Sequence, residues 1–88
     1  MMKIRTILVD DEEMALVNLK FALEEYQDID VIAQFTDPLE AIEQIGELQP
    51  EAVFLDIDMP GINGLEAALE INNEFPLAAV VFVTAYNQ

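Results

Sequence analysis

The sequence predicts an α/β chain built on a parallel sheet, and three observations lead there. Four short apolar runs rich in β-branched residues, "TILVD" (6–10), "VIAQF" (31–35), "AVFLDID" (52–58) and "AAVVFVTA" (78–85), recur along 88 residues. Between them lie stretches whose apolar residues return every three to four positions, the period of a helix packed on one side. Prolines mark the joints, at Pro38, Pro50, Pro60 and Pro76. Strands that alternate with helices imply parallel pairing, because a parallel crossover needs a connection long enough to hold a helix.

Each element has its own signal. "TILVD" is the first strand, β1, and from Glu12 to Tyr26 the period turns helical, giving α1 with Leu16, Leu19, Leu23 and Tyr26 down one face. "VIAQF" is β2. Asp37 then offers an N-cap and Pro38 a first helical position where a missing N–H costs nothing, so α2 starts there. Its inner face is Ala41, Ile42, Ile45 and Leu48. "AVFLDID" is β3; after the Pro60-Gly61 turn, α3 starts near Asn63 or Gly64 and stops before Pro76. "AAVVFVTA" is β4. The predicted order is β1-α1-β2-α2-β3-α3-β4, one domain over residues 1–88.

Composition limits the function classes. No apolar run approaches the roughly 20 residues of a membrane span, and the N-terminus lacks a signal peptide's apolar stretch. With no cysteine there are neither disulfides nor thiolate metal sites, and a cytoplasmic location is expected. Eighteen acidic residues against three basic ones (Lys3, Arg5, Lys20) leave a net charge of −15. Phosphate-backbone binding needs clustered Lys and Arg, so no nucleic-acid or membrane partner is expected for this chain alone. Most of the acidic excess reads as solvated helix surface.

In an open parallel sheet, ligands bind beyond the carboxyl ends of the strands. There the sequence places Asp10-Asp11-Glu12-Glu13 after β1, Asp56-Ile57-Asp58 at the end of β3 and Thr84 at the end of β4. Singly these are ordinary: Asp10 or Asp11 can cap α1, Glu12 and Glu13 suit its positive end, Asp56 can terminate a strand and Thr84 can be structural. If β1 and β3 are neighbours, however, Asp10, Asp11 and Asp56 converge, and their mutual repulsion is resolved by a hard divalent cation such as Mg²⁺. A carboxylate so placed can act as nucleophile in phosphoryl transfer, with Thr84 hydrogen-bonding a phosphoryl oxygen.

The combination "ILVDDE", "VFLDIDMPGINGLE" and "VVFVTA" closely resembles the receiver domain of bacterial two-component response regulators, over the whole chain. The resemblance implies a flavodoxin-like, doubly wound sheet of order 2-1-3-4, a partial version of the family's 2-1-3-4-5; a member of the family is a standard example of that order. It implies a sensor histidine kinase as partner and Asp56 as phosphoacceptor, a signalling domain rather than a turnover enzyme. Asp11 is expected to ligate Mg²⁺ directly and Asp10 largely through water. Asp58 is expected to contribute its backbone carbonyl, Thr84 to act as the switch hydroxyl, and Met59-Pro60-Gly61 with Gly64 to shape the rim. The "TAY" ending resembles regulators with a LytTR-type DNA-binding output. A weaker likeness links "VFLDID" and "VVFVT" to haloacid-dehalogenase-type phosphatases, which expect their DxD near the first strand.

The resemblance also implies a fifth strand bearing a lysine, and this sequence stops before it, as it does before any output domain. The expected form is thus a truncated receiver whose phosphorylation is impaired, or a non-signalling fragment that serves as a folding and assembly unit. Right-handed crossovers put α1 on one face of the sheet and α2 and α3 on the other. β4, apolar at positions of both parities, is then left with a free edge and an uncovered face. A homo-oligomer through the β4 edge or the bare sheet face is expected.

Overall fold

The computed structural model describes residues 3–57 and 64–83. β1 (Ile4–Val9), α1 (Glu13–Leu23), β2 (Ile29–Phe35), α2 (Pro38–Leu48), β3 (Ala52–Asp56), α3 (Gly64–Glu74) and β4 (Ala79–Val83) follow in the expected order. The strands form one sheet of order β2-β1-β3-β4, parallel throughout.

The period of two along the strands sorts their side chains between two cores. Ile7 and Val9 of β1 and Val53 and Leu55 of β3 point to the side where α2 contributes Ala41, Ile42 and Ile45 and α3 contributes Ala67 and Ile71. Leu8 points the other way, to a smaller core with Leu16 and Leu23 of α1, joined by Leu19, Ile29, Val31 and Phe54. One helix thus covers one face and two cover the other, as right-handed crossovers require. Thr6 is the fully buried polar side chain among the described residues, and its hydroxyl donates to the Ile4 carbonyl at 3.0 Å.

β2 carries a feature its sequence does not announce. Thr6 pairs with Val31 but Ile7 pairs with Ala33, so Ile32 is an extra residue in the strand. A strict alternation would put Ile29, Val31, Ala33 and Phe35 on one face. The bulge divides them: Ile29 and Val31 pack with α1, whereas Ile32, Ala33 and Phe35 pack with the α2–α3 core.

The reading of α1 needs correction at its end. The helix stops at Leu23, and Tyr26, expected on its inner face, is 60% exposed. The chain has to reverse within residues 24–28 to bring Ile29 beside Ile4, and it does so by a turn in which Tyr26 N–H donates to the Leu23 carbonyl. α2 matches its signals: the Asp37 carboxylate accepts the Leu39 N–H at 3.0 Å with Pro38 at the first turn, and Leu48 is half-buried. It closes on Gln49 in the left-handed region (φ 48°), where a side chain costs about 1–2 kcal/mol. That conformation is fixed by the Arg5 guanidinium, which donates to the Gln49 carbonyl at 2.8 Å, and by Glu51, which pairs with the Arg5 backbone.

At the far end of the sheet β4 pairs, among the described residues, with β3 alone. Ala78 just before it is buried, but Val81 and Phe82 are 40% and 42% exposed.

Candidate functional site

β1 ends at Val9, and the Asp10 N–H donates to the Phe35 carbonyl at 3.1 Å, fixing the turn out of the strand against β2. The Asp10 carboxylate folds back to accept the Glu12 N–H at 3.0 Å. This is an Asx turn that ends on the helix cap, Glu12. The cap itself is Glu12, which makes no side-chain capping bond, so neither Asp10 nor Asp11 occupies the N-cap position that either could have filled. Asp11 is exposed and Asp10 half-buried.

Asp56 is the last residue of β3, in register with Val83 of β4. The next peptide is held on both sides: Ile57 N–H donates to Val83 at 3.3 Å, and the Ile57 carbonyl accepts the Gly64 N–H at 3.1 Å. Gly64 opens α3 hard against this turn. A Cβ there would stand 2.5 Å from the Ile57 Cα and 2.8 Å from the Asp56 carbonyl oxygen, so no side chain fits without moving backbone. Gly64, expected to help shape the rim, does so by standing directly against the Asp56–Ile57 peptide.

Asp10, Asp11 and Asp56 converge. One carboxylate oxygen from each lies within 4.8 Å of the others. Burial pushes the Asp10 carboxyl above its ordinary value of 3.8, the charges of Asp56, Asp11 and Glu12 push it further, and the Glu12 N–H bond pulls it back. Ionising Asp10 in this setting is therefore costly, which is the condition a bound cation relieves. Asp58, Thr84 and the Met59-Pro60-Gly61 loop, also expected at this rim, lie outside the described residues.

None of the chain's three basic residues is on the rim. Arg5 is bound to Gln49 at the amino ends of the strands, Lys3 lies near Tyr26 and Gln27 at that same end, and Lys20 sits on α1 beside Asp30 and Val31.

Residues 6–88 match the response regulator receiver domain family. The chain belongs to that family. An uncharacterized response regulatory protein of Yersinia pestis is 48% identical over 85 residues, which cover 97% of this chain and 35% of the relative. The transcriptional regulatory protein BtsR of Escherichia coli K12 is 36% identical over the same shares of the two chains. This receiver chain spans about a third of the length of those relatives. Among solved structures, the response regulator domain of Thermotoga maritima CheB superimposes with a TM-score of 0.84 at 32% identity, covering 98% of this chain and 63% of that one. Salmonella typhimurium RcsB shares the fold, with a TM-score of 0.89 at 24% identity over 99% of this chain and 45% of its own.

Proposed function

We propose that the chain is the phosphoacceptor receiver domain of a two-component response regulator, with Asp56 accepting a phosphoryl group from a sensor histidine kinase. The observation that carries the reading is the convergence of Asp10, Asp11 and Asp56 at the carboxyl ends of β1 and β3. An oxygen of the Asp56 carboxylate attacks phosphorus, and the P–O bond forms as the bond to the leaving imidazole nitrogen of phosphohistidine breaks. The product is an acyl phosphate on the protein, and the electron pair leaves with the imidazole. Asp11 directly, Asp10 through water and the Asp58 carbonyl would hold Mg²⁺, whose charge offsets that of the incoming phosphoryl oxygens. Thr84 would donate its hydroxyl to one of those oxygens. The protein's own share is positional: the Asp10 Asx turn and the Gly64 contact hold the carboxylates at one rim.

The transfer is impaired in the 88-residue chain, because no basic side chain of the described residues reaches the rim to add a fixed positive charge. Such charges are commonly worth about 3–4 kcal/mol of transition-state stabilisation. The acidic pair clustered with Asp56 favours this chemistry over that of a haloacid-dehalogenase-type phosphatase, so no turnover of small phosphate esters is expected. Acetyl phosphate with Mg²⁺, read by intact mass and peptide mapping, tests the assignment. The expected result is a weak, Mg²⁺-dependent adduct on Asp56 that disappears in Asp56→Asn. An adduct that survives that substitution, or forms without Mg²⁺, contradicts the site; a stoichiometric and long-lived one contradicts the impairment.

A second reading, self-assembly through the β4 edge or the bare sheet face in the cytoplasm, is favoured by the exposure of Val81 and Phe82.

A further inference from the structure

We propose that the groove between the carboxyl-terminal ends of α2 and α3 binds a small organic cation with an apolar body, an aralkyl amine or guanidine. The site goes beyond the phosphoacceptor reading and shares no residue with the carboxylate rim.

The groove lies at the amino ends of β3 and β4, the opposite end of the sheet from Asp10, Asp11 and Asp56. Its volume is about 520 Å³, within the roughly 300–1,000 Å³ of small-ligand sites. Every wall residue falls within 45–51 or 74–78. Ile45, Pro50 and Ala78 are buried and form the floor, and Phe75 is half-buried beside them. Hydrogen bonds pin both walls. On one side the Gln49 N–H donates to the Ile45 carbonyl at 2.8 Å, and the Gln49 carbonyl accepts the Arg5 guanidinium at 2.8 Å. On the other, the Ala78 N–H donates to the Phe75 carbonyl at 3.0 Å. The two sides are tied where the Ala79 N–H donates to the Glu51 carbonyl at 2.9 Å. A ligand therefore meets a pre-formed site and is spared the cost of ordering it.

Gly46 indicates that the space is kept open. It stands inside α2, where glycine is a poor helix former. Packing does not require it: a Cβ there would meet the Phe75 ring at 3.6 Å, an ordinary van der Waals distance. Alanine would thus fit and favour the helix. What glycine alone provides is room between the α2 backbone and the Phe75 ring. A local choice that weakens an element and opens a cavity is characteristic of functional sites.

Charge sets the class of ligand. Glu51 and Glu74 are the ionisable groups in the wall, and none of the chain's basic residues, Lys3, Arg5 and Lys20, lines it. Both helices bring their carboxyl-terminal ends to the groove, and neither has a basic residue in its last turn. The partial negative charge of those ends favours a cation. The net charge of −15 draws cations and repels anions over the whole surface. A cationic head pairs with Glu74 at the end of α3, and the apolar body lies against Ile45, Phe75 and the open side of Gly46.

The test is an NMR titration of the 88-residue chain with phenethylguanidine, phenethyl alcohol and hydrocinnamate as probes. Phenethylguanidine is expected to bind with a dissociation constant of about 1 mM or tighter. It should shift the amides of Gly46, Gln49 and Phe75 and leave those of Asp10, Asp11 and Glu12 in place. The alcohol is expected to bind at least about fivefold more weakly, and the carboxylate not at all. Glu74→Gln changes an exposed side chain and should weaken the guanidine to the level of the alcohol, with no effect on the alcohol itself. Gly46→Ala should melt at a higher temperature than wild type and yet bind the guanidine at least about fivefold more weakly. Groove amides that stay in place at about 10 mM guanidine overturn the site. Shifts confined to Asp10, Asp11 and Glu12 overturn it as well and place the cation at the carboxylate rim. Equal binding of alcohol and guanidine overturns the cationic ligand, and wild-type binding by Gly46→Ala overturns the part given to glycine. If acetyl-Leu-Arg-Leu-amide binds more than about tenfold tighter than the guanidine, the groove belongs to a protein segment and the small ligand is overturned.

Discussion

Ile7, Leu8 and Val9 in β1 are at most 2% accessible, whereas Val81 and Phe82 in β4 are 40% and 42% accessible, although both stretches are apolar. β1 lies between β2 and β3 with α1 on one side and α2 and α3 on the other; β4 has β3 on one edge and α3 over part of one face. The difference lies in the neighbours and not in the strands. An apolar sequence states a capacity for burial, and topology decides whether that capacity is used. The same contrast separates the two ends of the functional layout. At the carboxyl ends of β1 and β3 the chain gathers charge into the Asp10–Asp11–Asp56 cluster, whereas β4 itself carries none.

The contrast between the strands can be broken most forcefully in the core. Leu8→Ala is expected to cost about 2–5 kcal/mol, a large share of the roughly 5–15 kcal/mol a small domain has, and to leave much of the chain unfolded in a urea titration. Val81→Ala, measured at a concentration low enough to keep the chain monomeric, is expected to cost under about 1 kcal/mol. Equal costs would mean that β4 is as enclosed as β1. Next in size, Gly64→Ala drives a Cβ into the Asp56–Ile57 backbone; it should cost about 1–3 kcal/mol and also weaken Mg²⁺ binding, measured by calorimetry, because the rim shifts with α3. Asp37→Ala removes the α2 cap, far from both regions, for about 1 kcal/mol and with no change in Mg²⁺ binding.

The smallest effect is a pH dependence. With Asp10 held above 3.8, the folded chain keeps that proton more tightly than the unfolded chain does. The metal-free protein therefore gains stability from neutral Asp10 at low pH and loses it as pH rises through the raised value. In Asp10→Asn that part of the pH dependence is expected to vanish from denaturation curves recorded in a chelator. An unchanged slope would mean that burial and the neighbouring charges do not raise the Asp10 carboxyl.

Most of this layout was legible in the sequence. The strand–helix alternation gave the element order, the crossover rule placed the helices, and the residue types at the strand ends marked Asp10, Asp11 and Asp56. What escaped were features set by contact between distant segments. The bulge at Ile32 has no local signature, since "IDVIAQF" satisfies either register by composition, and only the simultaneous demands of α1 and α2 select it. Tyr26 continues the helical spacing of α1, but the return to β2 overrides it. The Asp10 carboxylate makes an Asx turn onto Glu12 and not a helix cap, and its N–H holds to Phe35 of another strand, a contact with no local signature.

The central claim is that the three carboxylates form one divalent-cation site, and a thermal unfolding midpoint taken with and without Mg²⁺ tests it most directly. The wild-type chain is expected to melt at a higher temperature with Mg²⁺, by the linkage of binding to folding. An Asp10→Asn, Asp11→Asn double variant is expected to melt higher than wild type without the cation, because the repulsion is gone, and to gain nothing when Mg²⁺ is added. A double variant that keeps the wild-type response to Mg²⁺ would contradict the account.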